Sequence, residues 1–204
     1  MQSTQFDRIL RRLATILSVV ILTLCLIYVS TGVLLSFYYE PTAGGAYNSL
    51  KTIDTEVTYG WLFHRAHDIA GNWAIAIALV QIVVMFLSRQ FRQSWLIAWI
   101  SGIFFTLSAI ALDWTSMILD WTQEGYWRFS IELGNIQAIP LIGNQLRDIL
   151  TGGGAISSVT VQHLYTIHSY IIPIAAILFA VVHLLALLWQ EQQMYQQEPE
   201  SELT

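Results

Sequence analysis

The segment "GWLFHRAHDIAGNWAIAIALVQIVVMF" runs from Gly60 to Phe86. It opens on charged residues and two histidines, His64 and His67, then turns almost wholly apolar, with Gln81 set in the middle. About 20 mainly apolar residues in a helix cross the hydrocarbon of a bilayer. Ionisable groups in such a run are costly, and they mark function by default. The segment therefore fixes a membrane fold and asks what an imidazole does at its mouth and an amide at its centre.

The rest of the chain has the same character. Of its 204 residues 55% are hydrophobic and 11% charged, against about a quarter charged in soluble domains. Four stretches are long and apolar enough to span: Leu13–Tyr39, Ile69–Leu87, Trp95–Leu119 and Leu164–Trp189. Each holds few or no full charges, Asp113 being the exception near the end of the third. The expected fold is all-α, an integral-membrane four-helix bundle over residues 13–189, with an N-terminal segment 1–12 and a polar tail 190–204. The first stretch is too long for a signal peptide and lacks a small-residue cleavage site, so it reads as a true span. The tail "QEQQMYQQEPESELT" has the composition of a disordered segment.

The net charge of -5 gives no footprint for nucleic acid. Its placement says more. Arg8, Arg11 and Arg12 precede the first span, and Arg89 and Arg92 sit in the short turn after the second. Short loops rich in Lys and Arg stay cytoplasmic. The N-terminus, the 88–94 turn and the tail are expected on that side, and loops 40–68 and 120–163 outside. Cys25 stands alone in the first span, which leaves no disulfide framework and no cysteine-based metal site.

On this topology the second and fourth spans run in the same direction. His67 opens one and His168 lies a turn into the other, at similar depth. Two imidazoles facing each other are what an iron porphyrin needs, one ligand on each side. Helix geometry extends the reading. Gln81 is 14 residues after His67, about 21 Å along the axis, and His183 is 15 after His168, about 22 Å. The chain thus offers an outer tier of His67 with His168 and an inner tier of Gln81 with His183. Packed, hydrogen-bonded core histidines and a proton relay are the alternatives the residues leave open.

Five dispersed motifs then carry a resemblance. "TGVLLSFYYEPT" (31–42), "AYNSLKTIDTEVTYGWL" (46–62), "DWTQEGYW" (120–127), "AIPLIG" (138–143) and "LYTIHSYIIP" (164–173) resemble the cytochrome b6 of cytochrome b6f complexes, and more broadly the N-terminal half of cytochrome b. The resemblance implies two b haems held between the second and fourth helices. His67 and His168 match the ligands of the outer haem, and His183 matches one ligand of the inner haem. Gln81 stands where the family's other inner ligand, a histidine, is expected. Small residues that let the porphyrin approach the backbone are matched by Gly32 and Ser116 in the outer tier, and by Gly102 and Ser18 in the inner. Arg65, with His64 and His163, falls near the family's outer propionate-binding arginines. Ile16 replaces the cysteine that binds an extra haem covalently in the b6 branch, and Leu188 replaces an inner basic residue.

Three outcomes compete at the inner tier: no haem, a haem on His183 alone with five-coordinate iron, or a sixth position filled weakly by water or the Gln81 oxygen. The preferred reading is the retained, five-coordinate haem. The resemblance implies electron transfer between quinol or quinone and haem, in a bacterial plasma membrane or a thylakoid. Partners would be a second-half cytochrome b subunit (subunit IV-like), a Rieske iron-sulfur protein and a c-type cytochrome, in a homodimeric complex. The competing class is a structural or anchor subunit of another membrane oxidoreductase, with one haem or none. The loop "LDWTSMILDWTQEGYWRF" is rich in Trp and Tyr, which prefer the membrane interface, and reads as short amphipathic helices on the outer surface.

Overall fold

A computed structural model describes residues 5–197 of the chain. Every regular element among them is helical. The elements are α1 (Gln5–Ser36), α2 (Ala46–Thr55), α3 (Gly60–Leu87), α4 (Leu96–Leu119), α5 (Gln123–Gln137), α6 (Gly143–Thr151), α7 (Ser158–Thr166) and α8 (Ile172–Gln197). A 3₁₀ turn, Gln93–Trp95, leads into α4, and a π-turn, Ile167–Ile171, joins α7 to α8. Four rods are long and apolar enough to cross a membrane: Gln5–Ser36, Gly60–Leu87, Gln93–Leu119 and Ser158–Met194. Large apolar side chains lie exposed along them, Leu79, Val80, Val83, Phe86 and Leu87 on α3 for example. A helix satisfies its own backbone, so such a face can meet lipid. The chain is an integral membrane protein.

All four rods start before the apolar runs that announce them; the first stops at Ser36, short of the expected Tyr39, and the fourth runs past Trp189. Once a helix is nucleated, each added residue brings one backbone bond whether or not its side chain is apolar. At the start of α1, Arg11 Nη1 donates to Met194 Sδ at 2.6 Å, and its guanidinium lies 5.3 Å from the Trp95 ring centroid. Thr15 Oγ1 donates to Glu191 Oε1 at 2.7 Å. These contacts hold the end of α8 against α1. The expectation of disorder from residue 190 is thereby corrected: the helix runs on to Gln197. The last seven tail residues lie outside the described part.

The π-turn has a local cause. Pro173 lacks an N–H and cannot donate within a regular helix. The N–H of Ile172 reaches back five residues to Ile167 O, and His168 sits inside the widened turn. Single π-turns collect at functional sites.

The residues group into two compact units. One comprises residues up to Leu26, Gly71–Ala109, and Ala175 onward; the other comprises Ile27–Ala70 and Ile110–Ile174. The first has a core of Leu10, Ala14, Val84, Met85, Trp95, Ala98, Ala186 and Leu187. The second holds the short helices α2, α5 and α6, with a core around Ile118, Phe129, Leu133, Val161 and Leu164. Trp114 Nε1 donates to Glu132 Oε2, and Arg128 Nε to Glu132 Oε1 at 3.2 Å, so one carboxylate ties α5 to α4. Tyr39 OH donates to Leu119 O at 2.8 Å. Burial pushes that phenol well above its ordinary range, which keeps it a donor. Of the aromatic-rich stretch expected to form short surface helices, residues 123–129 open the short helix α5, whereas residues 112–119 complete the long rod α4.

Candidate functional site

The His67–His168 pair lies within the second unit. Its ring centroids are 6.2 Å apart and the planes are inclined by 59°. His67 Nδ1 is 2.8 Å from Tyr28 O and 3.3 Å from Thr31 Oγ1. His168 Nδ1 is 3.1 Å from Leu112 O and 3.0 Å from Thr115 Oγ1. A carbonyl only accepts, so Nδ1 of each ring carries the proton and Nε2 keeps its lone pair. The threonine protons are spent on their own helices: Thr31 donates to Ile27 O and Thr115 to Ala111 O. Their oxygens are thus free to share the imidazole N–H. Both rings are fixed in one tautomer and orientation by α1 and α4, which leaves the Nε2 lone pair available to a metal.

His183 repeats the arrangement within the first unit. It is 2% exposed, and its Nδ1 lies 2.7 Å from Ala98 O. Its Nε2 is buried and has no hydrogen-bond partner among the described residues. An orphaned buried nitrogen costs on the order of 1–3 kcal/mol, and here it is a lone pair held in place by the opposite edge of the ring. Gln81, 3% exposed, belongs to the same unit. Its Nε2 donates to Ala14 O at 2.8 Å.

A common register underlies the four residues. Each pairs through one nitrogen with a backbone carbonyl on α1 or α4, and four residues further along that helix stands one of the small residues expected near the porphyrin: Tyr28 with Gly32, Leu112 with Ser116, Ala98 with Gly102, Ala14 with Ser18. The two glycines show what the small residue does. A Cβ on Gly32 would lie 2.9 Å from His67 Cε1, and one on Gly102 would lie 2.9 Å from His183 Cε1. The missing Cβ leaves room for the imidazole beside it. Ser18 is 1% exposed.

The remaining candidates fall elsewhere. Arg65 is exposed on α3. His64 Nδ1 pairs with Asp54 Oδ1 at 2.9 Å, and His163 Nδ1 with Ile149 O at 2.8 Å; both are engaged within the protein. Cys25 is fully buried. Among the described residues no group of three or more His, Cys, Asp or Glu could hold a metal ion by itself. The histidine sites offer one or two nitrogens each, so a metal held there would need its other donors from a cofactor such as a macrocycle. Sequence reasoning missed the carbonyls and the threonine oxygens, although Thr31 and Thr115 each stand one residue before a small residue it did single out.

Comparison with known proteins identifies the family and the fold. The family profile described as "Cytochrome b/b6/petB" matches residues 6–191. "Cytochrome b6" of Auxenochlorella protothecoides is 30% identical over 163 residues, 80% of this chain and 76% of that protein. "Cytochrome b6" of Mastigocladus laminosus is 31% identical over 164 residues, with the same coverage of each. A chain of the solved "Hyperthermophilic respiratory Complex III" superposes with a TM-score of 0.75 at 22% identity. That match covers 85% of this chain and 47% of the other, so the chain spans about half of that larger subunit.

Proposed function

The chain belongs to the cytochrome b/b6 family, and from that premise we propose that it carries electrons between quinol or quinone and haem in a bc/b6f-like complex. A membrane b-type cytochrome needs axial donors set in an apolar bundle, and three histidines here are built for that task. The observation that carries the reading is the buried, partnerless Nε2 of His183, held by the Nδ1 bond to Ala98 O. In the other unit, imidazole–metal bonds of about 2 Å on each side suit two rings whose centroids stand 6.2 Å apart. Haem, when bound, supplies the one-electron chemistry at potentials set by its axial ligands.

The protein's own residues do the rest. His67 and His168 would hold one haem, and Tyr28 O, Thr31, Leu112 O and Thr115 orient the two rings. His183 would hold a second haem, with Gln81 in place of the usual second histidine. Apolar side chains exclude water. The complex would add a second-half cytochrome b subunit, a Rieske protein and a c-type cytochrome, with the short helices of loop 120–163 near the quinol-oxidising site. The test is haem stoichiometry with a reduced-minus-oxidised spectrum of the purified chain. Two b haems per chain are expected; absence of any b-type band would overturn the reading in favour of a structural subunit.

The hydrogen bonds to Nδ1 give a sharper expectation. An acceptor at Nδ1 makes the imidazole more basic and stabilises ferric iron, and such outer partners change metal affinity about 10–100-fold. Thr115→Val removes one of two acceptors and keeps the shape. The midpoint potential of the His67–His168 haem should rise and the other should stay, as read by a redox titration of the two b components.

A further inference from the structure

We propose that Gln81 presents its carboxamide Oε1 to the sixth position of the His183 haem as a weak, displaceable oxygen donor, and that this site binds small neutral π-acceptor molecules such as carbon monoxide when reduced. The proposal rests on the reading that a haem is held at His183.

Covalent reach comes first. The Oε1 of glutamine and the Nε2 of histidine both stand four bonds from Cα, so the two side chains place a donor atom at equal reach. Register comes second. Gln81 lies 14 residues after His67, and the carbonyls they bond, Ala14 O and Tyr28 O, are also 14 apart. Both bonds are 2.8 Å long. Ser18, four residues after Ala14, stands 14 before Gly32. Gln81 therefore stands to α1 as His67 does, with an N–H to a carbonyl and a small residue one turn further on. A carbonyl only accepts, so the atom facing Ala14 is the amide nitrogen. Oε1 leaves the same carbon at about 120° to it, as the ligating nitrogen of a histidine leaves the far edge of its ring.

Burial comes third. The amide sits almost wholly covered in an apolar run, and its nitrogen is spent on Ala14 O, so the oxygen is the atom left for a metal ion. The orphaned Nε2 of His183 in the same unit is the donor for the opposite face.

The chemistry of the donor sets the ligand class. A carboxamide oxygen is a hard donor that suits ferric iron and binds ferrous iron poorly, whereas imidazole serves both. Reduction loosens it, and a neutral π-acceptor that prefers ferrous iron takes the place. The His67–His168 iron, closed by two imidazoles, has no such position.

The experiment uses the complex purified from its own membranes, as wild type, Gln81→His and Gln81→Leu. It reads haem per chain, the ferric EPR spectrum, and carbon monoxide binding to the reduced form. Wild type should show two haems per chain, one high-spin signal, and one carbon monoxide per chain. Gln81→His should turn that signal low-spin and cut carbon monoxide binding at least ten-fold. Gln81→Leu should keep carbon monoxide binding and shift the high-spin g values, because the oxygen donor is gone. A high-spin Gln81→His, or a Gln81→Leu spectrum identical to wild type, would show that Gln81 does not face the iron. One haem per chain with only a low-spin signal would remove the His183 haem itself, a failure of the underlying reading that the EPR spectrum separates from the first.

Discussion

His168→Ala should strip one haem from each chain and leave the other in place. The imidazole that disappears is held twice over through Nδ1, by Leu112 O at 3.1 Å and Thr115 Oγ1 at 3.0 Å, and alanine supplies neither the ring nor its aim. His67, with its ring centroid 6.2 Å away, would be left as a single ligand on partly buried iron. Loss of a mere outer-shell partner costs about 10–100-fold in affinity; loss of the ligand itself should exceed that range, and the haem should be lost on purification. The variant should keep its fold, because His168 lies in a π-turn whose opening is set by Pro173 and the Ile172–Ile167 bond, neither of which involves the side chain. Pyridine haemochrome analysis should fall from two haems per chain to one, with the low-spin ferric signal gone. His67→Ala should do the same, and added imidazole should restore the band in either. Unchanged haem content in both variants would remove the pair as ligands.

That result is the part most legible in the sequence. A histidine in an apolar run of membrane length is conspicuous because its burial is costly. His67 and His168 sit together in one compact unit, as the co-directional spans required. His183 was legible for the same reason, and its bond to Ala98 O supplies the orientation that the letters could not. Gln81 was legible as a departure from the family pattern but not in its meaning. Its partner is a backbone oxygen, which every residue carries, so no letter in the sequence marks Ala14 as an acceptor. The register is visible only once the carbonyls of Ala14, Tyr28, Ala98 and Leu112 are seen to play one role. The helix ends were the least legible. Apolarity shows where lipid is met, whereas backbone bonding and contacts such as Thr15 with Glu191 decide where a helix stops. For that reason α8 continues to Gln197, where the composition suggested a disordered tail. The propionate-binding roles of Arg65, His64 and His163 were read from sequence register alone. Asp54 and Ile149 O hold those rings, and neither partner could be read from the spacing.

The register also makes the two glycines a sharp test. Gly32→Val should cost the His67–His168 haem and spare the other; Gly102→Val should do the reverse. A Cβ alone at either site would stand 2.9 Å from the imidazole Cε1, and 3.3 Å or 3.0 Å from Nδ1. The ring cannot yield as a flexible chain end would, because its Nδ1 is pinned at 2.8 Å to Tyr28 O or at 2.7 Å to Ala98 O by the helix that carries the new group. Valine adds two methyl groups beyond that Cβ, so the imidazole must leave its carbonyl, and Nε2 loses its aim. Each glycine and the ring it clears belong to one unit, which makes the loss selective. Gly71 provides the control: it lies within α3 and a Cβ there meets nothing within 4 Å, so Gly71→Ala should leave both haems and add up to about 1 kcal/mol of helix stability. Haem-resolved redox titration of the three variants separates the outcomes. Were Gly32→Val and Gly102→Val to keep both b components at wild-type potentials, close packing of the glycines on the ligand rings would have no part in holding haem. If both components were lost in each variant, the defect would be one of general folding, with no link to register.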